Sequence, residues 1–487
     1  MAGHRMSGFT TVPASSHPLS RSSREAGEVD ALVIVWSAEE PSRVGELAVL
    51  ATGHPQMLGR GGDPAPEPRI RFFRQRPASL VATSPLEGAG LSRRQLMVAV
   101  QDGTLTVERI GRCPLQVNGA LCDQAALLPG DTLHLHRQLV LLYLRRPAVI
   151  PPCHHFGQAS WGQFGEPDAY GILGESPATW LLRERLAFVA KSGTHALLVG
   201  ASGTGKELAA RAIHAQSDRT SRAFVARNAA TFPAGLIDAE MFGTAKNYPN
   251  AGMPERPGLV GEADRGTLFL DEIGELPVEQ QAHLLRVLDT GGEYQRLGES
   301  VTRRSDFRLV GATNRDPAAL KHDLRARLTS VVALTPLASR REDIPLLARH
   351  LLLAAAKRGP EVAGRFVGKE PRGRPLARLA ASFIEHLLRD PLEANVRGVE
   401  AMLWQGMSEA TGDVIEVPRT PAGPSAPRAH TSSPPDRKAE PTVHQIRAAL
   451  DAAGGSVGKA ASALGLSSRF VLYRLMSKHG IRDAASE

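Results

Sequence analysis

The chain has 487 residues, 42% hydrophobic and 22% charged, the proportions of an ordinary globular protein, which excludes wholesale disorder. At roughly 100–200 residues per domain, the length predicts two to four domains. Lys and Arg number 58 against 50 Asp and Glu, giving a formal net charge of +8 and a pI near 9.7, which suits a polyanionic partner. Apolar runs such as 139–144 fall far short of the ~20 residues of a membrane span, so no membrane association is expected. Residues 1–27 are rich in Ser and Arg, lack the apolar stretch of a secretory signal and read as a disordered leader. Cys113, Cys122 and Cys153 are odd in number and have no metal-ligand spacing, which fits free thiols in a reducing cytoplasm.

Residues 28–146 predict an all-β domain. The segments 31–36, 43–50, 69–73, 96–100, 104–109 and 138–144 are short and apolar-rich or alternating, with Gly, Pro and Asp clusters between them. Residues 147–165 carry Pro147, Pro151 and Pro152 and read as a linker. Across 166–417, apolar strands at 195–199, 267–270 and 307–312 alternate with amphipathic helices at 207–215 and 279–288. That alternation predicts a parallel sheet covered by helices, followed by a helical subdomain over about 341–417. Residues 418–441 carry Pro418, Pro421, Pro424, Pro427, Pro434, Pro435 and Pro441 and read as a flexible, polyproline-like tether. The remainder, 442–487, predicts three short helices at 443–453, 457–464 and 468–478, broken at Gly454-Gly455 and Gly465.

The strand at 197–199 leads into Gly200, Ser202, Gly203, Thr204, Gly205 and Lys206, and a helix follows. This is the context of a Walker A phosphate loop: glycines turn backbone N–H groups inward and the helix start adds its positive dipole end. Lys206 would place its charge on the β- and γ-phosphates. Glu207 stands where a Ser or Thr usually ligates magnesium. A second strand, 267–270, ends in Asp271 and Glu272, at the sheet edge beside the phosphate loop. Asp271 is the candidate Mg²⁺ ligand and Glu272 the candidate group for polarising the attacking water.

With Gly174-Glu-Ser-Pro177, Glu240-Met-Phe-Gly243, Gly311-Ala-Thr-Asn-Arg-Asp316 and Arg340-Arg-Glu-Asp-Ile-Pro345 added in order, residues 166–417 resemble the AAA+ domain of sigma-54-dependent transcriptional activators. The family tolerates Glu after the Walker lysine. The resemblance implies that Asn228 restrains Glu272 until the γ-phosphate is read. It implies that Thr313 and Asn314 form the sensor beside that phosphate. Arg327 matches an arginine finger that reaches a neighbouring subunit's nucleotide, and Arg397 matches the second sensor of the helical subdomain. Three departures stand out. The family's sigma-contacting loop reads Gly-Ala-Phe-Thr-Gly-Ala; here 247–252 read Asn-Tyr-Pro-Asn-Ala-Gly, with Pro249 and Asn250 replacing the contacting Phe and Thr. Lys321 replaces another arginine of the finger region, and Leu392-Glu-Ala-Asn395 replaces Trp-Pro-Gly-Asn.

The first piece is similar to a forkhead-associated (FHA) domain in its order of Gly59-Arg60, Ser92-Arg93-Arg94, Asn118-Gly119 and Pro129-Gly130-Asp131. That resemblance implies a β-sandwich whose loops bind phosphothreonine. Arg60 and Arg93 or Arg94 would hold the phosphate with the Ser92 hydroxyl, and Asn118 would hold the peptide backbone. Gln95 stands where that family carries His. The last piece resembles the Fis-type helix-turn-helix that closes sigma-54 activators. Lys459, Arg469, Arg474 and Lys478 would face DNA phosphates, with Ser468, Arg469 and Tyr473 near the start of the recognition helix.

The expected molecule is multidomain: an all-β sandwich, an α/β AAA+ P-loop domain with a helical subdomain, and an all-α helix-turn-helix. The expected function is cytoplasmic transcription regulation with MgATP as cofactor, DNA upstream of a promoter, a phosphothreonine peptide and copies of the same chain (dimer to hexameric ring) as partners. ATP hydrolysis is expected, while the altered loop sets sigma-54 contact apart from the family's usual mode. The alternative is a DNA-bound regulator that uses ATP as an assembly switch without remodelling sigma-54.

Overall fold

The computed structural model describes residues 27–62, 67–233, 235–370, 373–418 and 443–452, with 460 and 464. It forms two units, Met1–Thr420 and Pro421–Glu487.

The first unit begins with two antiparallel sheets packed face to face. The larger has eight strands in the order Ser79–Ala82, Phe73–Arg76, Leu47–Val49, Glu28–Ser37, Leu139–Pro147, Thr132–Leu135, Leu115–Val117 and Ala120–Cys122. The smaller runs Gln124–Leu127, Thr104–Arg109, Leu96–Gln101, Gln56–Leu58. Leu96, Val98 and Val100 alternate inward, as a half-buried strand requires. The central strands Glu28–Ser37 and Leu139–Pro147 differ: they are apolar on both faces. Leu32, Ile34, Leu141 and Tyr143 fill the sandwich core, whereas Val35, Val140 and Leu142 join a second core formed with helices of the next domain. Burial on both faces is what makes these runs nearly continuous in the sequence.

The second domain is built on a parallel sheet in the order Phe224–Asn228, Thr267–Asp271, Arg308–Thr313, Ala196–Val199, Ser330–Ala333. Helices Pro177–Ser192 and Lys206–Ala215 pack on one face, and Ile237–Phe242 and Val278–Asp289 on the other. A helical lid follows, made of Ile344–Arg358, Ala381–Arg389 and Asn395–Glu409. It includes a small hairpin, Val367–Lys369 with Pro375–Ala377, within the region expected to be helical.

Three further expectations change. The stretch 147–165 is built into the fold rather than serving as a tether. Ile150 and Phe156 are buried with Trp180 and Ala187, and the Glu184 carboxylate accepts the N–H groups of His154, His155 and Phe156 at 3.0 Å each. In the sandwich, the expected strand 43–50 is reduced to Leu47–Val49, because Arg43 folds inward to pair with Glu46 at 2.8 Å. The strand expected at 69–73 begins only at Phe73. In the second unit, Val443–Ala452 is a helix with Ile446 buried, and the Leu464 N–H donates to the Ala460 carbonyl at 3.0 Å. The rest of the expected helix-turn-helix, including Lys459, Ser468, Arg469, Tyr473, Arg474 and Lys478, lies outside the described residues.

Candidate nucleotide-binding site

The phosphate loop joins strand Ala196–Val199 to the ten-residue helix Lys206–Ala215. Gly203 has φ +76°, and a Cβ there would sit 2.2 Å from the Ala394 carbonyl oxygen, so this turn demands glycine. Thr204 closes the loop by donating its hydroxyl to the Ala201 carbonyl at 2.9 Å. Lys206 is buried, and its ammonium folds back onto the carbonyls of Gly200 at 2.9 Å and Ala201 at 3.3 Å. Glu207 is turned along the helix surface to Arg211 at 2.8 Å.

A cavity of about 430 Å³ opens over this loop. Its lining includes the polar Ser202 to Lys206, Asn228, Asp271, Glu272, Arg340, His350 and Arg397. It also includes the aliphatic Ile172, Leu173, Leu182, Leu208, Leu347 and Leu351. That mixture suits a nucleotide, whose phosphates need N–H groups and cations and whose base needs aliphatic carbon. Burial pushes the His350 imidazole pKa down, with Glu166 pulling the other way.

Asp271 ends strand Thr267–Asp271, which Arg308–Thr313 separates from the phosphate-loop strand, and Glu272 follows it directly. Glu272 has φ +51° and ψ +42°, a left-handed backbone that costs a non-glycine residue on the order of 1–3 kcal/mol. Strain of that kind is held where a side chain must be aimed. The Asn314 N–H lies 3.4 Å from the Glu272 carboxylate, so the sensor strand end reaches it. Thr313 is buried, and its carbonyl accepts the Gly200 N–H at 3.1 Å, tying the sensor strand to the phosphate loop. Asn228 lines the cavity, but its side-chain oxygen caps the Ala230 N–H at 2.9 Å. Among the described residues no three His, Cys, Asp or Glu gather to hold a metal. Asp271 lines the cavity and would be the protein's own ligand to a magnesium ion held otherwise by phosphate oxygens and water, as Mg²⁺ commonly is.

The lid closes on this loop. Arg397 donates to the Ser202 hydroxyl at 3.0 Å, Asn395 to the Ser202 carbonyl at 2.9 Å, and the Val396 N–H to the Gly203 carbonyl at 3.2 Å. The altered Leu392–Asn395 segment thus keeps its terminal contact. Arg327 is separate from the cavity: it is half-exposed and paired with Asp289 at 2.5 Å. Three functional positions carry no earlier assignment. Asp343 is fully buried and accepts from the Glu175 N–H at 2.8 Å, the Ser176 hydroxyl at 2.6 Å and the Thr179 hydroxyl at 2.7 Å. Arg340 lines the cavity with a buried, unpartnered Nε, and His350 also lines it. The only sequence signal for the first two was their place in the motif at 340–345.

On the β-sandwich, the Arg60 N–H donates to the Ser92 carbonyl at 3.0 Å, which brings together the loops carrying Arg60, Ser92 and Arg93. The Ser92 hydroxyl accepts the Arg112 N–H at 3.0 Å, adding a residue that motif reading missed. Gln95 is buried and organises this loop cluster, accepting from the Ser92 N–H at 3.2 Å and donating to the Cys113 carbonyl at 2.8 Å. Asn118 is committed within its own turn, donating to Asp131 at 2.8 Å and accepting the Thr132 N–H at 3.0 Å.

The phosphate loop, the paired strand-end carboxylates, the five-stranded parallel sheet and the helical lid define an AAA+ P-loop domain. Residues 172–334 match the Sigma-54 interaction domain family. The Nif-specific regulatory protein of Bradyrhizobium diazoefficiens is 34% identical over 449 residues, covering 78% of this chain and 73% of that protein. The transcriptional regulatory protein ZraR of Klebsiella oxytoca is 36% identical over 317 residues, covering 63% of this chain and 68% of that protein. The crystal structure of NtrX from Brucella abortus in complex with ATP is 28% identical, covers 63% of this chain and 69% of that chain, and superposes with a TM-score of 0.44. The chain belongs to the family of sigma-54-dependent AAA+ transcriptional regulators. No helix among the described residues is long and apolar enough to cross a membrane.

Proposed function

We propose that this chain is an ATP-driven transcription regulator that binds MgATP in the cavity over Lys206 and hydrolyses it between copies of itself. The observation that carries this reading is the meeting of four elements at one cavity: the phosphate loop, the carboxylates Asp271 and Glu272, and Arg397 from the lid. Lys206 and the loop N–H groups hold phosphate, and Asp271 holds the metal. Glu272 orients water, and Arg397 reports the nucleotide to the lid. Arg327, exposed and away from its own chain's cavity, acts as the finger for a neighbour in the ring.

The β-sandwich reads a phosphothreonine peptide through Arg60, Ser92 and Arg93, with Asn118 shaping the adjoining turn. The C-terminal helices bind DNA upstream of a promoter. Lys206→Ala loses measurable ATP binding in equilibrium titration while the fold survives. Glu272→Gln binds ATP with near wild-type affinity and turns it over about 10³-fold more slowly, because only the water-orienting carboxylate is gone. Unchanged ATP affinity in Lys206→Ala contradicts the site.

One observation favours a second reading of the output. The tip 247–252 is closed on itself: Asn247 accepts the Gly252 N–H at 2.9 Å and its own N–H donates to the Met253 carbonyl at 2.9 Å. A tip closed in this way, with Pro249 and Asn250 in place of Phe and Thr, favours a regulator in which ATP drives assembly on DNA while the sigma-54 contact is weak.

A further inference from the structure

We propose that the β-sandwich is a splint across the ATPase core and its lid, and that Glu385 is the positioning residue through which it sets how the lid meets the phosphate loop. The inference rests on the nucleotide site described above and concerns its regulation.

The sandwich grips both sides of the hinge. On the core side, Arg76 pairs with Glu175 at 2.7 Å. Arg146 pairs with buried Glu342 while donating to Gln75 at 2.8 Å. Glu342 is next to Asp343, which is pinned to Ser176 and Thr179 at the start of the first core helix. On the lid side, Trp36 donates to the Leu379 carbonyl at 2.8 Å. Val35, Val140 and Leu142 share one apolar core with Phe383, Ile384 and Leu387. At its centre, Thr132 donates to Glu385 at 3.0 Å, and His134 Nδ1 lies 3.1 Å from the other carboxylate oxygen. All three are buried. A carboxylate so placed is costly to leave unpaired, which makes this contact stiff in position.

The route from Glu385 to the phosphate loop is short. Helix Ala381–Arg389 ends, the turn is pinned by Leu392 N–H to Asp390 at 2.7 Å and Asn395 N–H to Leu392 at 2.8 Å, and Asn395 and Arg397 then bond Ser202. On the sandwich side, Thr132 also donates its N–H to Asn118, in the turn beside the candidate peptide loops. A shift of that turn therefore moves Thr132, then Glu385, then the residues lying on Ser202. Each of these is a direct hydrogen bond or a short, pinned turn, so the coupling has a continuous physical carrier.

The test uses the full chain with Thr132→Val, which removes the hydroxyl and keeps the shape, and Thr132→Ser, which keeps the hydroxyl. Amide exchange is followed without nucleotide over 200–206 and 381–409, and affinity for ATPγS is titrated. Thr132→Val should speed exchange in both segments and shift the ATPγS dissociation constant by about five-fold or more. Thr132→Ser should restore both. Exchange that changes only at 381–389, with the phosphate loop and affinity unmoved, makes the contact purely structural and overturns the proposal. Wild-type protein that binds no ATPγS refutes the nucleotide site instead; the loop exchange then decides the splint by itself.

Discussion

Glu184, on helix Pro177–Ser192, holds the segment that joins the β-sandwich to the ATPase. Burial pulls its pKa up, but the N–H groups of Phe156, His154 and His155 and the His155 ring outweigh that and hold it down at about 2. A carboxyl depressed below its unfolded value stabilises the fold fully above about pH 4.5, and that stabilisation is lost as pH falls toward 2. Thermal melts of Glu184→Gln should therefore show a loss of at most about 3 kcal/mol at pH 7, less any solvent screening, that shrinks toward zero near pH 2. An equal loss at both pH values contradicts the assignment. The phosphate-site residues were legible in the sequence because they lie in contiguous motifs whose spacing is their signal. Asp343 was not, since its partners Glu175, Ser176 and Thr179 lie far upstream and meet it only once the ATPase domain has folded around its sheet. Gln95 looked like a departure from a peptide-binding pattern, and the structure gives it a framework role that no local pattern encodes.

Elements fix where these residues can act. The tip 247–252 rests on the loop 293–304: the Ala245 N–H donates to the Leu297 carbonyl at 2.9 Å, and the Tyr248 ring covers Gly298, where a Cβ would sit 2.3 Å from the ring. Tyr248 fills the contact between the two loops. Trapping of sigma-54 with a transition-state-analogue nucleotide should be weak for this chain, and restoring Gly-Ala-Phe-Thr-Gly-Ala at 247–252 should strengthen it. Robust ATP-dependent open-complex formation by the unaltered chain contradicts that expectation. On the sandwich, Arg60→Ala and Ser92→Ala should each abolish preference for a phosphothreonine peptide over its unphosphorylated form in titration. Equal binding of both peptides by the wild type leaves the sandwich with its framework role alone. The long central strands were legible because burial on both faces makes them continuously apolar. The three- and four-residue strands Gln56–Leu58, Ser79–Ala82, Leu115–Val117 and Ala120–Cys122 were missed, because so few residues carry no periodicity and the sheet partners decide them.

At the scale of the molecule, the described residues between 27 and 418 form one unit in which β-sandwich, ATPase core and lid share buried charge pairs and one apolar core. The stretch 147–165 read as a linker because Pro-rich composition signals extended chain; it does not show that Ile150 and Phe156 find a pocket beside Trp180. On the proposed reading a single chain would leave its own site incomplete, since Arg327 sits outside the cavity that its charge would serve. The claim that ATP is hydrolysed between copies is tested most directly by mixing two inactive variants. Glu272→Gln keeps the finger and loses the carboxylate; Arg327→Ala keeps the carboxylate and loses the finger. Each alone should turn over ATP about 10³-fold more slowly than wild type, and their mixture should regain turnover at interfaces that pair the intact halves. A mixture as inactive as its components, or wild-type turnover by Arg327→Ala alone, contradicts the account.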